Sequence, residues 1–193
     1  MRSIIRAVAL GGVLLLAGLG SAQANEYQAK LQQLVDTKLH ALAADPAVVA
    51  AVKAQNEAHA SYDAAKIDEL DKAWRAEVAA GGGATTNAML ANALSKHLTS
   101  VRDGSGGLYA EILVMDNKGL NAGISNMTSD YMQGDEAKWQ KTYLVGADAV
   151  LIDDVEQDES SGTFVSQVSV TVVDPETKAP IGALTVGVDV EKL

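Results

Sequence analysis

An α+β fold is expected, with helices first and a five-stranded antiparallel sheet after them. Three observations carry the expectation. Up to Gly107 the apolar residues recur at a spacing near 3.6. After Gly107 they recur at a spacing of 2. The strand candidates are also separated by compact turn clusters, so consecutive hairpins and antiparallel pairing follow. A run of helices followed by a run of strands is the pattern of an α+β domain.

Residues 1–24 read as a targeting segment. Arg2 and Arg6 supply the positive start, residues 7–19 are apolar, and Ala22-Gln23-Ala24 fits a small-x-small cleavage site. The apolar run is short for a membrane span. A mature chain starting at Asn25 is expected, with no stable membrane insertion after cleavage. No cysteine is present, so neither lipid attachment at a cysteine nor a disulfide scaffold is available.

Four helices are expected next. The first covers residues 25–44, with Tyr27, Leu31, Leu34, Val35, Leu39 and Leu42 on one stripe. Asp45-Pro46 restarts the chain, Asp as cap and Pro at the first helical position. Val48, Val49 and Val52 give the second helix its apolar face, and it ends near Asn56. The third spans 65–79 with Ile67, Leu70, Trp74 and Val78 in line, and Gly81-Gly82-Gly83 closes it. Thr85, Thr86 and Asn87 are candidate caps for a fourth, whose apolar face is Leu90, Leu94, Leu98 and Val101.

The strands follow. Residues 108–115 are rich in strand formers. Asp116-Asn117-Lys118-Gly119 is a turn, because Asp and Asn bond their own backbone and Gly accepts a positive φ. Residues 120–125 alternate, and a polar loop with Asn126, Thr128, Ser129, Asp130, Tyr131 and Gln133 leads into a short helix carrying Trp139. Residues 150–155 form a third strand, and 156–162 a polar connection. The fourth strand, 163–173, places Phe164, Val168, Val170 and Val172 on one face. The last, 181–190, places Leu184, Val186 and Val188 on one face and Ala183, Thr185, Gly187 and Asp189 on the other. A meander-like strand order is the simplest expectation.

The formal net charge is −10, and loss of Arg2 and Arg6 with the targeting segment makes the remainder more acidic. That balance argues against nucleic acid, which needs a cationic footprint, and against docking on anionic lipid.

Several stretches together resemble the Cache family of extracytoplasmic sensory domains. They are Asp116-Asn117-Lys118-Gly119, Thr128-Ser129-Asp130-Tyr131, Gln133-Gly134-Asp135-Glu136 with Trp139, and the final strand from Ile181 to Val190. The helical stretch from Ile67 to Arg75 is similar to the helical part of such proteins. The resemblance implies a PAS-like five-stranded antiparallel sheet behind N-terminal helices, a small-molecule pocket on one sheet face, and a role in signalling. It divides the chain into a signal peptide (1–24), an N-terminal helical part (25–83) and a PAS-like sensory core (84–193), with 25–193 expected to form one domain.

The resemblance also implies site residues. Trp139 matches the aromatic that packs over the ligand, and Asp189 the acid on the last strand that meets a ligand amine. Tyr131 and Tyr143 are candidates to close the lid; Asn121, Ser125 and Thr185 are candidates to offer hydrogen bonds from the sheet. Trp139 equally suits packing between lid and core, Asp189 an edge position, and Asp130 a cap or a bond to its own loop. Amino-acid-binding members carry an arginine just before the tryptophan. Here Ala137 and Lys138 occupy that neighbourhood, and lysine lacks the bidentate fork, so an amino acid is not the expected ligand.

Enzymatic readings find less support. His40, His59 and His97 fall on expected helices without zinc spacing and are expected to be solvated or helix-flank residues. Ser105 misses the nucleophile-elbow pattern because Asp103 replaces the first glycine. The segment from Asp154 mimics a calcium loop but has Glu159 at the required glycine and Val165 at the closing acid. A carboxylate pair such as Asp130 and Asp135 leaves a hydrolase as a third reading. The expected function is a non-catalytic, small-molecule-binding sensory domain, periplasmic or secreted, without an output module, cofactor or metal. It would pass its signal to a separate membrane signalling protein. The alternative is a structural or adaptor protein acting through a partner or a homodimer interface.

Overall fold

The computed structural model describes residues 26–157 and 162–193. The expected targeting segment, Asn25 and the centre of the expected 156–162 connection lie outside the described residues.

The first helix, α1, has three consecutive parts: Gln28–Leu34, a wider π turn at Val35–Leu39, and His40–Ala43. Its buried residues are Leu31, Val35, Leu39 and Ala43, each four apart. In a pure α-helix a spacing of four drifts by about 40° per step. The π turn absorbs that drift and keeps all four on one face. Helix α2 (Pro46–Ala58) starts as expected, with the Asp45 carboxylate accepting from Ala47 N and Pro46 at the first position. Helix α3 (Ala64–Ala79) is capped by Asp63 and fully buries Trp74.

The expected fourth helix is two helices, α4 (Ala84–Ala91) and α5 (Ala93–Gly104). Asn92 breaks it by taking extended backbone and accepting from Ser95 N as the cap of α5. The break lets Leu90 pack in one core while Leu94, Leu98 and Val101 pack in another.

The sheet contains β1 (Tyr109–Met115), β2 (Asn121–Ile124), β3 (Val150–Gln157), β4 (Phe164–Val173) and β5 (Pro180–Asp189). All pairings are antiparallel, and the order is β2-β1-β5-β4-β3. The expected meander is therefore corrected: β5 inserts between β1 and β4. Leu113 pairs with Thr185, which pairs in turn with Ser169.

Side-chain alternation gives the sheet two unlike faces. The first carries Ile112, Val114, Val168, Val170, Val172, Leu184, Val186 and Val188 and packs against α1, α2 and α5. The second carries Leu113, Met115, Ile124 and Ala183 and packs against Trp74, Leu120 and Tyr131, with Trp139 and Tyr143 at its margin. Phe164, expected on the same face as Val168, Val170 and Val172, is 43% exposed. The short lid helix α6 spans Ala137–Gln140. Among the described residues, no helix is long and apolar enough to cross a membrane.

Candidate functional site

Where β1 ends, the turn that begins at Asp116 ties three layers together. Asp116 is fully buried, and its carboxylate accepts four hydrogen bonds. Oδ1 receives the turn amides of Lys118 (2.8 Å) and Leu120 (2.9 Å). Oδ2 receives Gln55 Nε2 (3.0 Å) and His59 Nδ1 (2.9 Å) from α2. Its backbone carbonyl accepts from Trp139 Nε1 at 3.0 Å, which fixes the lid helix. An ionised carboxylate only accepts, so His59 carries its proton on Nδ1. His59 flanks α2 as its C-cap, one of the two positions expected, but it is not solvated: its side chain is 13% exposed and its ring stacks on Tyr62 at 4.4 Å. Gln55 and His59 continue the stripe of the buried Val48 and Val52 along α2, and that spacing was the missed signal.

Asn121 stands beside Met115 on the second face and is fully buried. Its Nδ2 donates to Thr128 Oγ1 (2.8 Å) and to Asp130 O (3.0 Å). Thr128 Oγ1 gives its own proton to the same Asp130 carbonyl. Both neighbours therefore accept from the amide nitrogen, and the orientation of the side chain is fixed. Asn121 Oδ1 is left buried with no partner among the described residues.

Around Asn121 the loop is held from α3. Trp74 Nε1 donates to Thr128 O (3.0 Å), and its ring stacks on Tyr131 at 5.5 Å. Asp71 Oδ1 accepts from the amides of Tyr131 (2.9 Å) and Met132 (3.0 Å), while Arg75 bridges Asp71 and Asp130. Burial alone would raise the Asp71 carboxyl, but the Arg75 guanidinium and the two amides together hold it below the usual range. Burial first, and the nearby Asp116 charge second, push up the Tyr131 and Tyr143 hydroxyls. Trp139 and Tyr143 stack at 5.0 Å. Lys138 is nearly buried, with its ammonium on Gln133 Oε1 and Glu136 Oε2, both at 3.0 Å, so the lid itself balances this charge. Sequence reasoning singled out Lys138 only as a replacement for arginine.

The structure brings Asn121, Tyr131, Trp139 and Tyr143 to one end of the second face. Thr185 lies two residues along β5 from the Met115–Ala183 pair and is bonded to Ser169 Oγ at 2.9 Å. Asp189 shares the face but lies six residues from Ala183, about 20 Å along the strand. Its carboxylate accepts from Glu191 N and caps the turn Val190–Lys192. A ligand the size of an amino acid reaches the Asn121 end or the Asp189 end, not both. The Ser125 hydroxyl accepts from Ile112 N (2.7 Å) and donates to Asn126 Oδ1 (2.7 Å), joining β2 to β1. Asp130 is occupied by Arg75, Gln133 and Ser129.

Chemically, the Asn121 end offers an aromatic wall and one unspent buried acceptor. The His59–Asp116 pair resembles half of a general-base device, but no hydroxyl contacts the second ring nitrogen among the described residues.

No family model matches the chain, and no curated protein matches it. Solved structures do. The chain is similar to the sensor domain of the V. cholerae histidine kinase DctB, at 18% identity and a TM-score of 0.44, over 86% of this chain and 58% of that one. It is similar to the extracellular domain of vpHK1S-Z8, assigned to a histidine kinase, at 12% identity and a TM-score of 0.48, over 86% and 54%. It is also similar to the ligand-binding domain of the Campylobacter jejuni chemoreceptor Tlp3 in complex with L-valine, at 12% identity and a TM-score of 0.39, over 84% and 61%. The chain spans less than two thirds of the length of each. Its structural neighbours are sensor domains of histidine kinases and chemoreceptors, at low identity.

Proposed function

We propose that this chain is an exported, non-catalytic sensory domain, periplasmic or secreted, that binds a small polar molecule at the Asn121 end of the second sheet face. It passes the bound state to a separate signalling protein. The observation that carries this reading is Asn121 Oδ1, a fully buried acceptor in a fixed orientation with no donor among the described residues. A buried polar atom left unpaired costs on the order of 1–3 kcal/mol, so a ligand N–H or O–H placed there recovers a large local penalty. Stacked Trp139 and Tyr143 supply the apolar wall. Lys138 is already balanced by Glu136, which favours a ligand recognised by its donors over one clamped by its carboxylate.

The test is a thermal-shift screen of the purified protein against amines, amino acids, carboxylates, sugars and purines, with Asn121→Ala and Trp139→Ala in parallel. A ligand at 100 times its Kd adds about 2.7 kcal/mol, which for a chain of this size raises Tm by roughly 5–10 °C. A shift in the wild type that both variants lose supports the reading. A second reading, an adaptor acting through a protein partner, is favoured by Leu144 and Val145, which are 61% and 70% exposed just beyond the lid helix. A flat screen with a folded protein moves the weight there.

A further inference from the structure

A second site lies on the other side of Asp116. Helix α2, the junction of α4 with α5, and β2 enclose an open groove of about 390 Å³. Its walls are mainly alanine, including Ala54, Ala58 and Ala93, with three polar residues, Gln55, His59 and Asn92.

The hydrogen bonds around the groove fix what those polar residues present. Asn92 is spent: Oδ1 accepts from Ser95 N, and Nδ2 donates to Ala122 O. Gln55 Nε2 faces three acceptors, Asp116 Oδ2, Leu120 O and Asn121 O, so the amide cannot be reversed, and Oε1 is turned away from them with no partner among the described residues. His59 donates from Nδ1 to Asp116, so in the neutral ring Nε2 holds a lone pair and has no partner among the described residues. Gln55 and His59 are four residues apart, hence neighbours on one face of α2. The side chains of the groove therefore offer two adjacent acceptors and no free donor, beside the backbone N–H groups of Ala93 and Leu94 at the start of α5, with a buried carboxylate 2.9 Å behind the imidazole.

We infer that this groove binds a small primary alkylammonium, its chain over the alanines and its N–H groups on Gln55 Oε1 and His59 Nε2. An ammonium gives a proton to each acceptor at once and is drawn by the Asp116 charge behind them. A carboxylate would bring lone pairs to lone pairs and face that charge. A quaternary ammonium has the charge but no N–H.

Calorimetric titration with n-butylammonium tests the inference, with tetramethylammonium and butyrate as comparisons. Ala54 and Ala58 are exposed, so Ala54→Leu and Ala58→Leu fill the groove without touching either core. Circular dichroism checks that both stay folded. The expected result is saturable binding of n-butylammonium, at least about tenfold weaker in each variant, with the two comparison ions also at least tenfold weaker. No binding of n-butylammonium, binding that survives both variants, or equal binding of tetramethylammonium would overturn it.

Discussion

Asp116 is the most consequential single position to perturb. Alanine there removes four acceptances at once. The Leu120 amide, in a fully buried bond, loses its side-chain acceptor, and the His59 Nδ1–H, in a side chain 13% exposed, is orphaned. Lys118 N and the Gln55 amide lose less, the first being near solvent and the second keeping Leu120 O and Asn121 O. Two orphaned donors at about 1–3 kcal/mol each agree with the roughly 3–5 kcal/mol found when one partner of a buried pair is removed. Asp116→Asn keeps an oxygen for the turn amides and fails only on the α2 side, for about 1.5–3 kcal/mol. Urea unfolding followed by tryptophan fluorescence measures both. With m of about 1–3 kcal/mol/M, the alanine variant loses roughly 1–5 M in midpoint, and the asparagine variant about half of that. The reasoning is refuted if Asp116→Ala costs less than about 1 kcal/mol, or if the two variants cost the same.

Gly119 sits at φ +77, and a Cβ there would lie 2.3 Å from Gly134 Cα. Gly119→Ala should cost at least about 2 kcal/mol, because left-handed strain adds to a backbone clash that no rotamer relieves; an unchanged urea midpoint would sink this account. Asp71 is held below its ordinary range although burial pushes the other way. Its contribution is complete above the unfolded value near pH 4 and lost as pH falls through the folded one. The stability gap between wild type and Asp71→Asn should therefore narrow between pH 7 and pH 3; a constant gap in urea titrations at both pH values would count against the Arg75–Asp71 link.

Local patterns were readable from the chain, and arrangements set by distant residues were not. The stripe Leu31–Val35–Leu39, the line of Ile67, Leu70 and Trp74, and the alternation along 181–190 are each complete within one element, so their buried faces were legible. Alternation placed Thr185 and Asp189 on one face but carried no distance, so the separation of Asp189 from Asn121 appeared only in the register. The insertion of β5 beside β1 has no local signature either. The break at Asn92 was hidden because Leu90 and Leu94 fit one helical stripe as well as two separate cores. His59 stands at the helix flank, as one of its two expected readings had it, but its bond to Asp116 was not legible because that partner lies 57 residues away. Asp116 was read correctly as a turn residue, but a turn needs only one of its two oxygens; what the second one did depended on α2.

The central position of β5 sets the order in which the protein can assemble. Leu113 must wait for Thr185, roughly seventy residues later in the chain, and pairings at such separations fold slowly. Until residues 180–189 arrive, β1–β2 and β3–β4 are two separate hairpins, each with a bare apolar edge. During synthesis the nascent sheet is open along its middle. That interval is when a holding chaperone matters most, and when a second copy of the same chain can insert the wrong strand.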